Sequence, residues 1–426
     1  MDCISSLLSF INRSPSPYHT VQQAAAFLQQ AGFQALSLHK PWKLAPGQAY
    51  YVNLYGTSLV AFRLGKAPRA HLRLAAAHTD FPNLRVKMKP EIHDSGAVKL
   101  NAEVYGGLIR EAWLDRPLGI AGVAALRGKS PFQPRLQLVD SKRPLVTIPR
   151  LAIHMNRNVN KGVELNPQQD LLPLFALDDG ALGKDCFTAF IAQLCGAESK
   201  DLLSYELGLY PVEKGCKLGL HEEFVSSPRL DNLTSVFACL SGLSQSKNAD
   251  GLNVIALFDN EEVGSRTKQG AASFSLPLLL QRLYHALGYR DDDFYADLAA
   301  AFLLSLDVAH AVHPNRPEKA DPTNQPLLGR GLALKMASSQ SYAGDATAIA
   351  TIRALCEDQK IPYQTFMNRS DSPGGSTLGS LLSANLPVRT MDVGIPILAM
   401  HSCRELMGSA DQTGLNELVT AFFQAL

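Results

Sequence analysis

The sequence predicts an α/β fold: a mixed, mostly parallel sheet sandwiched by helices, with a β-rich unit inserted into it. Three observations carry this expectation. Beyond Arg229, apolar runs of strand length alternate with longer runs of helical period, the pattern of a sheet covered on both faces. The run Leu252–Phe258 is apolar at nearly every position, as a strand buried on both sides should be. Between about Pro90 and Pro228 the pattern changes to short, partly alternating runs separated by turn residues, which reads as a β-rich module.

Each element has its own signal. Ser16-Pro17 reads as an N-cap followed by proline at the first helical position, and the helix through VQQAAAFLQQ stops at Gly32. Strand-like runs follow at 50–54, 59–64 and 71–77, the last leading into His78-Thr79-Asp80. The middle region offers VKLNAEVY, GIAGVAAL and RLQLVD as strands, a helix over Cys186–Leu194 and a strand near 207–210. The alternation then runs through 233–243, Leu252–Phe258, 276–287, 300–306, 346–356, 387–393 and 415–423. The simplest assembly is a discontinuous domain of residues 1–90 and 230–426, with residues 91–229 inserted.

Bulk properties exclude several classes. A chain of 426 residues, 46% hydrophobic and 19% charged, is an ordinary globular composition able to bury a large core. A net charge of +1 gives no reason to expect a nucleic-acid partner or an anionic membrane surface. The seven cysteines are scattered singly, without a CxxC pair, which argues against a disulfide framework and a thiolate zinc site and favours a reducing cytoplasm. The start, MDCISSLLSFINRSP, lacks the basic flank of a signal peptide, and no apolar stretch is long enough to span a bilayer.

The chemistry concentrates where apolar runs end. His78 and Asp80 follow LRLAAA, Glu261 and Glu262 follow LNVIALFDN, Asp307 follows AAFLLSL, His401 follows PILAM, and Asp231 opens a helix after PRL. Strands of a parallel sheet end at one edge, so these distant positions can meet in one crevice. Histidines with carboxylates form a hard-to-borderline ligand set suited to Zn²⁺, Co²⁺ or Mn²⁺. Neighbours on an extended chain point opposite ways, so one glutamate of the pair can hold a metal while the other handles a proton; the spacing leaves open which. Each residue has an ordinary alternative: Asp231 as a helix cap, Asp307 as a strand-end acid, the histidines as satisfied core or surface residues, the Glu-Glu pair as solvated loop charge. Competing motifs fail. His221-Glu222-Glu223 lacks the second histidine of HExxH, Ser244–Lys247 places SxxK in a polar stretch after a helix, and Gly329-Arg330-Gly331 lacks the third glycine of a dinucleotide turn.

The combination AAAHTD, SSPRLDN, DNEEVGS, LDVAHAVHPN and LAMHSCRE, in this order along the chain, resembles the aspartyl aminopeptidase family of dinuclear zinc metallopeptidases. The resemblance implies a zinc-peptidase-like catalytic domain with two zinc ions per subunit, bridged by Asp231 and a water or hydroxide. It matches His78 and Asp307 to one ion, Glu262 and His401 to the other, Glu261 to the general base, and Asp80 to the acid that orients His78. It also implies removal of single residues from free peptide N-termini, with Lys335 pairing with an acidic first residue and His310 and His313 lining the site. His154, inside the insertion, matches a histidine that reaches a neighbouring subunit, and the resemblance implies a homo-oligomer, a dodecamer built from dimers. The segment GGSTLG (374–379) keeps the small residues of the family's substrate loop but not every position, and the linker 317–331 also departs from eukaryotic relatives. A dinuclear carboxypeptidase or deacylase, and an oligomeric binding protein with a vestigial site, are the other readings of the same residues.

Overall fold

The architecture is that of a computed structural model, described for residues 2–178, 180–247, 250–372 and 374–425. Its centre is a nine-stranded sheet in the spatial order Gln34–Leu36, Ala49–Leu54, Ser58–Leu64, Leu252–Phe258, Leu72–His78, Phe302–Leu306, Arg389–Gly394, Leu332–Lys335 and Tyr363–Phe366. Five of its eight pairings are parallel and three antiparallel, so the expected mixed, mostly parallel sheet is present.

Strand alternation divides the apolar residues between two cores. Ala75, Ala77, Ile255 and Leu257 pack on one face with the helices Cys3–Asn12, Leu230–Gln245, Ala346–Gln359 and Ser409–Gln424. Leu74, Ala76, Val254, Ala256 and Phe258 pack on the other with Ser275–Ala286, Asp291–Ala299 and Leu378–Asn385. Fully burying a side chain of the Val, Leu or Ile kind is worth about 1.5–3 kcal/mol, which is why these strands read as unbroken apolar runs. Asn253 is the polar exception in Leu252–Phe258; its Nδ2 donates to Phe423 O at 3.0 Å, so its burial leaves that donor satisfied.

A second sheet has six strands, all antiparallel, in the order Gln133–Asp140, Leu118–Ser130, Leu202–Pro211, Asn83–Asp94, Ala97–Tyr105 and Leu174–Leu177. The helix Cys186–Leu194 packs on it through Phe187 and Ile191. A third sheet is absent from the sequence reading. It joins the short strands Cys216–Leu218, Phe224–Ser227, Glu405–Gly408, Pro396–Leu398 and Ala309–His310. With two to four residues each, these strands are too short for periodicity to register. The N-terminal helix Cys3–Asn12 is a further element that the sequence does not predict; Asp2 caps it, accepting from Ser5 N at 2.8 Å.

Candidate active site

Three neighbouring parallel strands supply the first group of residues. Leu72–His78 lies between Leu252–Phe258 and Phe302–Leu306, and all three end at the same edge. His78 closes the first, Asp307 follows the third, and Glu261 and Glu262 follow the second. The glutamates are not on an extended chain. Asn260 takes a left-handed conformation (φ 64°) and Glu261–Val263 form a turn of 3₁₀ helix, so the turn and not strand alternation separates the two carboxyl groups.

The short third sheet delivers the other two positions. Phe224–Ser227 leads into Arg229, which is left-handed (φ 62°), and then Asp231, whose backbone (φ −75°, ψ 108°) is not yet helical. The Asp231–Asn232 peptide is cis. His401, also left-handed at φ 66°, follows Pro396–Leu398. One buried carboxylate ties these two segments together: Glu405 accepts from Asp231 N at 3.0 Å and from His401 N at 2.9 Å. Glu405 escaped the sequence reading, although it lies within LAMHSCRE, because no motif distinguishes it from an ordinary strand acid.

The side chains converge around Asp231. Its Oδ1 lies 3.3 Å from His78 Nε2, which is 3.6 Å from Asp307 Oδ1. Its Oδ2 lies 3.4 Å from His401 Nε2, which is 3.3 Å from Glu262 Oε2. These separations are long for hydrogen bonds, whose usual range ends near about 3.2 Å. They match the edge of a zinc tetrahedron, about 3.3–3.6 Å for ligand atoms roughly 2.0–2.2 Å from the ion. Among the described residues Asp231 Oδ1 and Glu262 Oε1 are buried without a hydrogen-bond partner, and His78, Asp231 and Glu262 offer atoms all within 4.8 Å of one another. Buried acceptors left unpaired in this way are expected where a cation belongs. The residues therefore fit zinc.

Electrostatics agree. Burial pushes the Glu261 carboxyl up to about 8, with Asp307, Asp80 and Asp231 adding to the rise. Burial, then Asp231, holds Glu262 well above its ordinary range. Burial pulls His78 down, but the neighbouring carboxylates of Asp231, Asp307 and Asp80 outweigh it and hold the imidazole well above its usual value. The carboxylates outnumber the nearby cations, which is the field a divalent ion relieves.

Asp80 does more than accompany His78. The His78 Nδ1 atom sits 3.0 Å from the Asp80 backbone oxygen, which can only accept, so Nδ1 carries the proton and Nε2 faces Asp231. The Asp80 carboxylate is fully buried and accepts from Glu261 N at 3.1 Å, Glu262 N at 3.2 Å and the Tyr105 hydroxyl at 2.6 Å.

A cavity of about 310 Å³ opens beside these residues and includes His78, Asp231, Glu261, Glu262, Asp307 and His401 in its wall. Among the described residues nothing hydrogen-bonds the Glu261 carboxylate. Lys335 and His310 also line the cavity, together with Tyr342 and Phe366, which the sequence did not single out. Lys335 is buried; its ammonium donates to Val308 O at 2.8 Å and lies 3.4 Å from Asp307 Oδ2 and 4.8 Å from the Tyr342 ring centre. His313 lies elsewhere. It lines an adjoining cavity of about 340 Å³ that shares His310 and Phe366, and its Nδ1 accepts from Asn315 N at 3.2 Å. His154 is exposed and is not part of the wall around Asp231; its neighbours Leu151, Ile153 and Met155 are exposed as well.

The sequence model of the Aminopeptidase I zinc metalloprotease family, M18, matches residues 10–423. The chain belongs to this family. The M18 assignment makes it a zinc metalloprotease and an aminopeptidase, a hydrolase of peptide bonds acting at the chain end. Among curated relatives, a probable M18 family aminopeptidase 2 of Clostridium novyi is 44% identical over 412 residues, covering 96% of this chain and 95% of its own. Among solved structures, the Ape4 and Nbr1 complex matches with a TM-score of 0.95 at 35% identity, over 99% of this chain and 85% of that one. The S. cerevisiae mApe1 dodecamer matches at a TM-score of 0.86 and 28% identity, over 100% of this chain and 97% of that one. Among the described residues of this M18 chain, no helix is long and apolar enough to cross a membrane.

Proposed function

We propose that Asp231, with His78 and Asp307 on one side and His401 and Glu262 on the other, would hold two zinc ions, and that Glu261 carries the proton as one residue is cleaved from a free peptide N-terminus. The observation that carries this reading is the placement of the two Asp231 oxygens, 3.3 and 3.4 Å from the Nε2 atoms of different histidines. Each histidine has a second carboxylate of its own, at 3.6 Å from Asp307 and 3.3 Å from Glu262. Bound by these residues, zinc would supply a Lewis acid for the scissile carbonyl and would lower the pKa of water in the site. Co²⁺ or Mn²⁺ would suit the same donors.

The chain's own residues do the rest. Glu261 lines the cavity with a carboxylate that no other described residue hydrogen-bonds, so it is available to take a proton from water as the oxygen attacks the carbonyl carbon. It returns that proton to the amine nitrogen as the carbon–nitrogen bond breaks. Asp80 fixes the Glu261–Glu262 turn through two backbone N–H groups, and so fixes where that proton is taken.

For the first residue of the substrate we propose an acidic side chain, Asp or Glu. Lys335 supports this, as a buried ammonium in the cavity wall whose carboxylate partner, Asp307, is also a metal donor in this reading. His310 stands on the same wall, and His313 lines the adjoining cavity, where the rest of the peptide would run.

We further propose a cytoplasmic homo-oligomer, a dodecamer assembled from dimers through the second sheet. The exposed apolar residues Leu151, Ile153 and Met155 around His154 support contact with another copy, which would carry His154 to a neighbour's site. The assembly of the mApe1 relative points the same way.

The test is Glu261→Gln in zinc-loaded protein. The variant should retain wild-type zinc and lose turnover by at least about 10³-fold, the scale expected when the proton carrier is removed; near-normal turnover would sink the assignment. A panel of aminoacyl chromogenic substrates checks the side-chain preference: Asp and Glu should exceed Leu and Met by about 10-fold or more, a difference near 1.4 kcal/mol, and a preference for Leu or Met discards the Lys335 role.

A further inference from the structure

The site has a wall that belongs to the second sheet. The strand Ala97–Tyr105 ends against the site: its last residue touches Asp80 and Asn260, and the two glycines after it lie against Glu262 and His401. The Tyr105 hydroxyl donates to Asp80 Oδ2 at 2.6 Å and accepts from Asn260 Nδ2 at 2.9 Å. Gly106 is left-handed (φ 76°), and a Cβ there would sit 3.1 Å from Glu262 Cβ. The Gly107 oxygen accepts from His401 Nδ1 at 3.1 Å. The Tyr105 ring is itself held, with the Arg85 guanidinium 3.8 Å over its centre.

We propose that Tyr105 is a positioning residue for the Glu261–Glu262 turn, acting through Asp80 and Asn260. Asp80 takes the two N–H groups of the turn on different oxygens, Glu261 N on Oδ1 and Glu262 N on Oδ2, and the Tyr105 hydroxyl shares Oδ2. The Tyr105 hydroxyl supplies a further donor from a different sheet and links Asp80 to Asn260, the left-handed residue that begins the turn. Asn260 is anchored on its other side by Thr267, whose hydroxyl donates to Asn260 Oδ1 at 2.8 Å. The direction of Glu261 is thereby tied to the second sheet through the Tyr105 hydroxyl as well as through the chain itself.

This inference rests on the metal-site reading above, and its test separates the two. Tyr105→Phe removes one oxygen and keeps the ring and its Arg85 contact. The expected result is a fall in kcat of about 10-fold with KM within about twofold, together with zinc lost to a competing chelator at about 10-fold lower chelator concentration, since partners behind metal ligands typically matter at about 10–100-fold. Tyr205→Phe is the control. It removes a hydroxyl of the same sheet that bonds Lys87 O at 2.7 Å and not Asp80 or Asn260, so both readouts should stay at wild-type values. Wild-type kcat and zinc retention in Tyr105→Phe would overturn the proposal, as would equal losses in both variants, which would mark a general effect on the sheet. Glu261→Gln run alongside decides the underlying reading independently, because its turnover does not depend on what Tyr105 does.

Discussion

At the residue scale the site depends on carboxylates that accept two backbone donors at once. Glu405 is the clearest case. It is fully buried, burial pushes it up to about 8, and its two oxygens take Asp231 N and His401 N. A glutamine there has one acceptor oxygen, and its amide would face the second N–H. Glu405→Gln should therefore loosen Asp231 against His401 and weaken zinc binding by about 10–100-fold, measured by chelator competition; unchanged zinc affinity would show that the two backbone bonds do not set the ligand positions. The residues legible in the sequence are those with metal-capable side chains at the ends of apolar runs or the mouth of a helix: His78, Asp80, Asp231, Glu261, Glu262, Asp307 and His401. Glu405, Tyr105 and Tyr342 were not legible, because their roles come from what they touch across the fold and not from their type or spacing.

At the element scale two close contacts hold the site's supports. Gly394, at the end of Arg389–Gly394, leaves no room for a side chain, since a Cβ there would lie 1.6 Å from Asp307 O. Gly242, inside Leu230–Gln245, lets that helix press against Ser409–Gln424, where a Cβ would meet Val419 Cγ1 at 2.4 Å and its backbone carbon at 3.0 Å. Two effects oppose each other for Gly242→Ala. Helix propensity favours alanine by about 1 kcal/mol. Overpacking a rigid, branched neighbour typically costs about 1–3 kcal/mol. Because the contact includes backbone, overpacking should win, and the variant should unfold at lower urea concentration; a higher midpoint would mean that the helices separate freely. The long elements were visible as periodic runs, and Leu252–Phe258 matches the expected span. What periodicity could not reach was the third sheet, whose two- to four-residue strands place Asp231 and His401.

At the scale of the whole molecule, the donors come together only because separate layers meet. The central sheet brings His78, Asp307 and the Glu261–Glu262 turn to one edge. The third sheet brings Asp231 and His401 opposite them, and the second sheet closes the wall through Tyr105, Gly106 and Gly107. The sequence pointed to a crevice at strand ends, yet strand geometry left open which glutamate does what. The turn at Glu261–Val263 points Glu262 toward His401, at 3.3 Å, and leaves the Glu261 carboxylate in the cavity with no hydrogen-bond partner among the described residues. The central claim is that Asp231 is shared between two zinc ions. Anomalous diffraction at the zinc absorption edge, from crystals of zinc-loaded protein, tests it most directly. Two peaks should flank Asp231, one beside His78 and Asp307 and the other beside His401 and Glu262. A single peak, or peaks that do not contact Asp231, would contradict it.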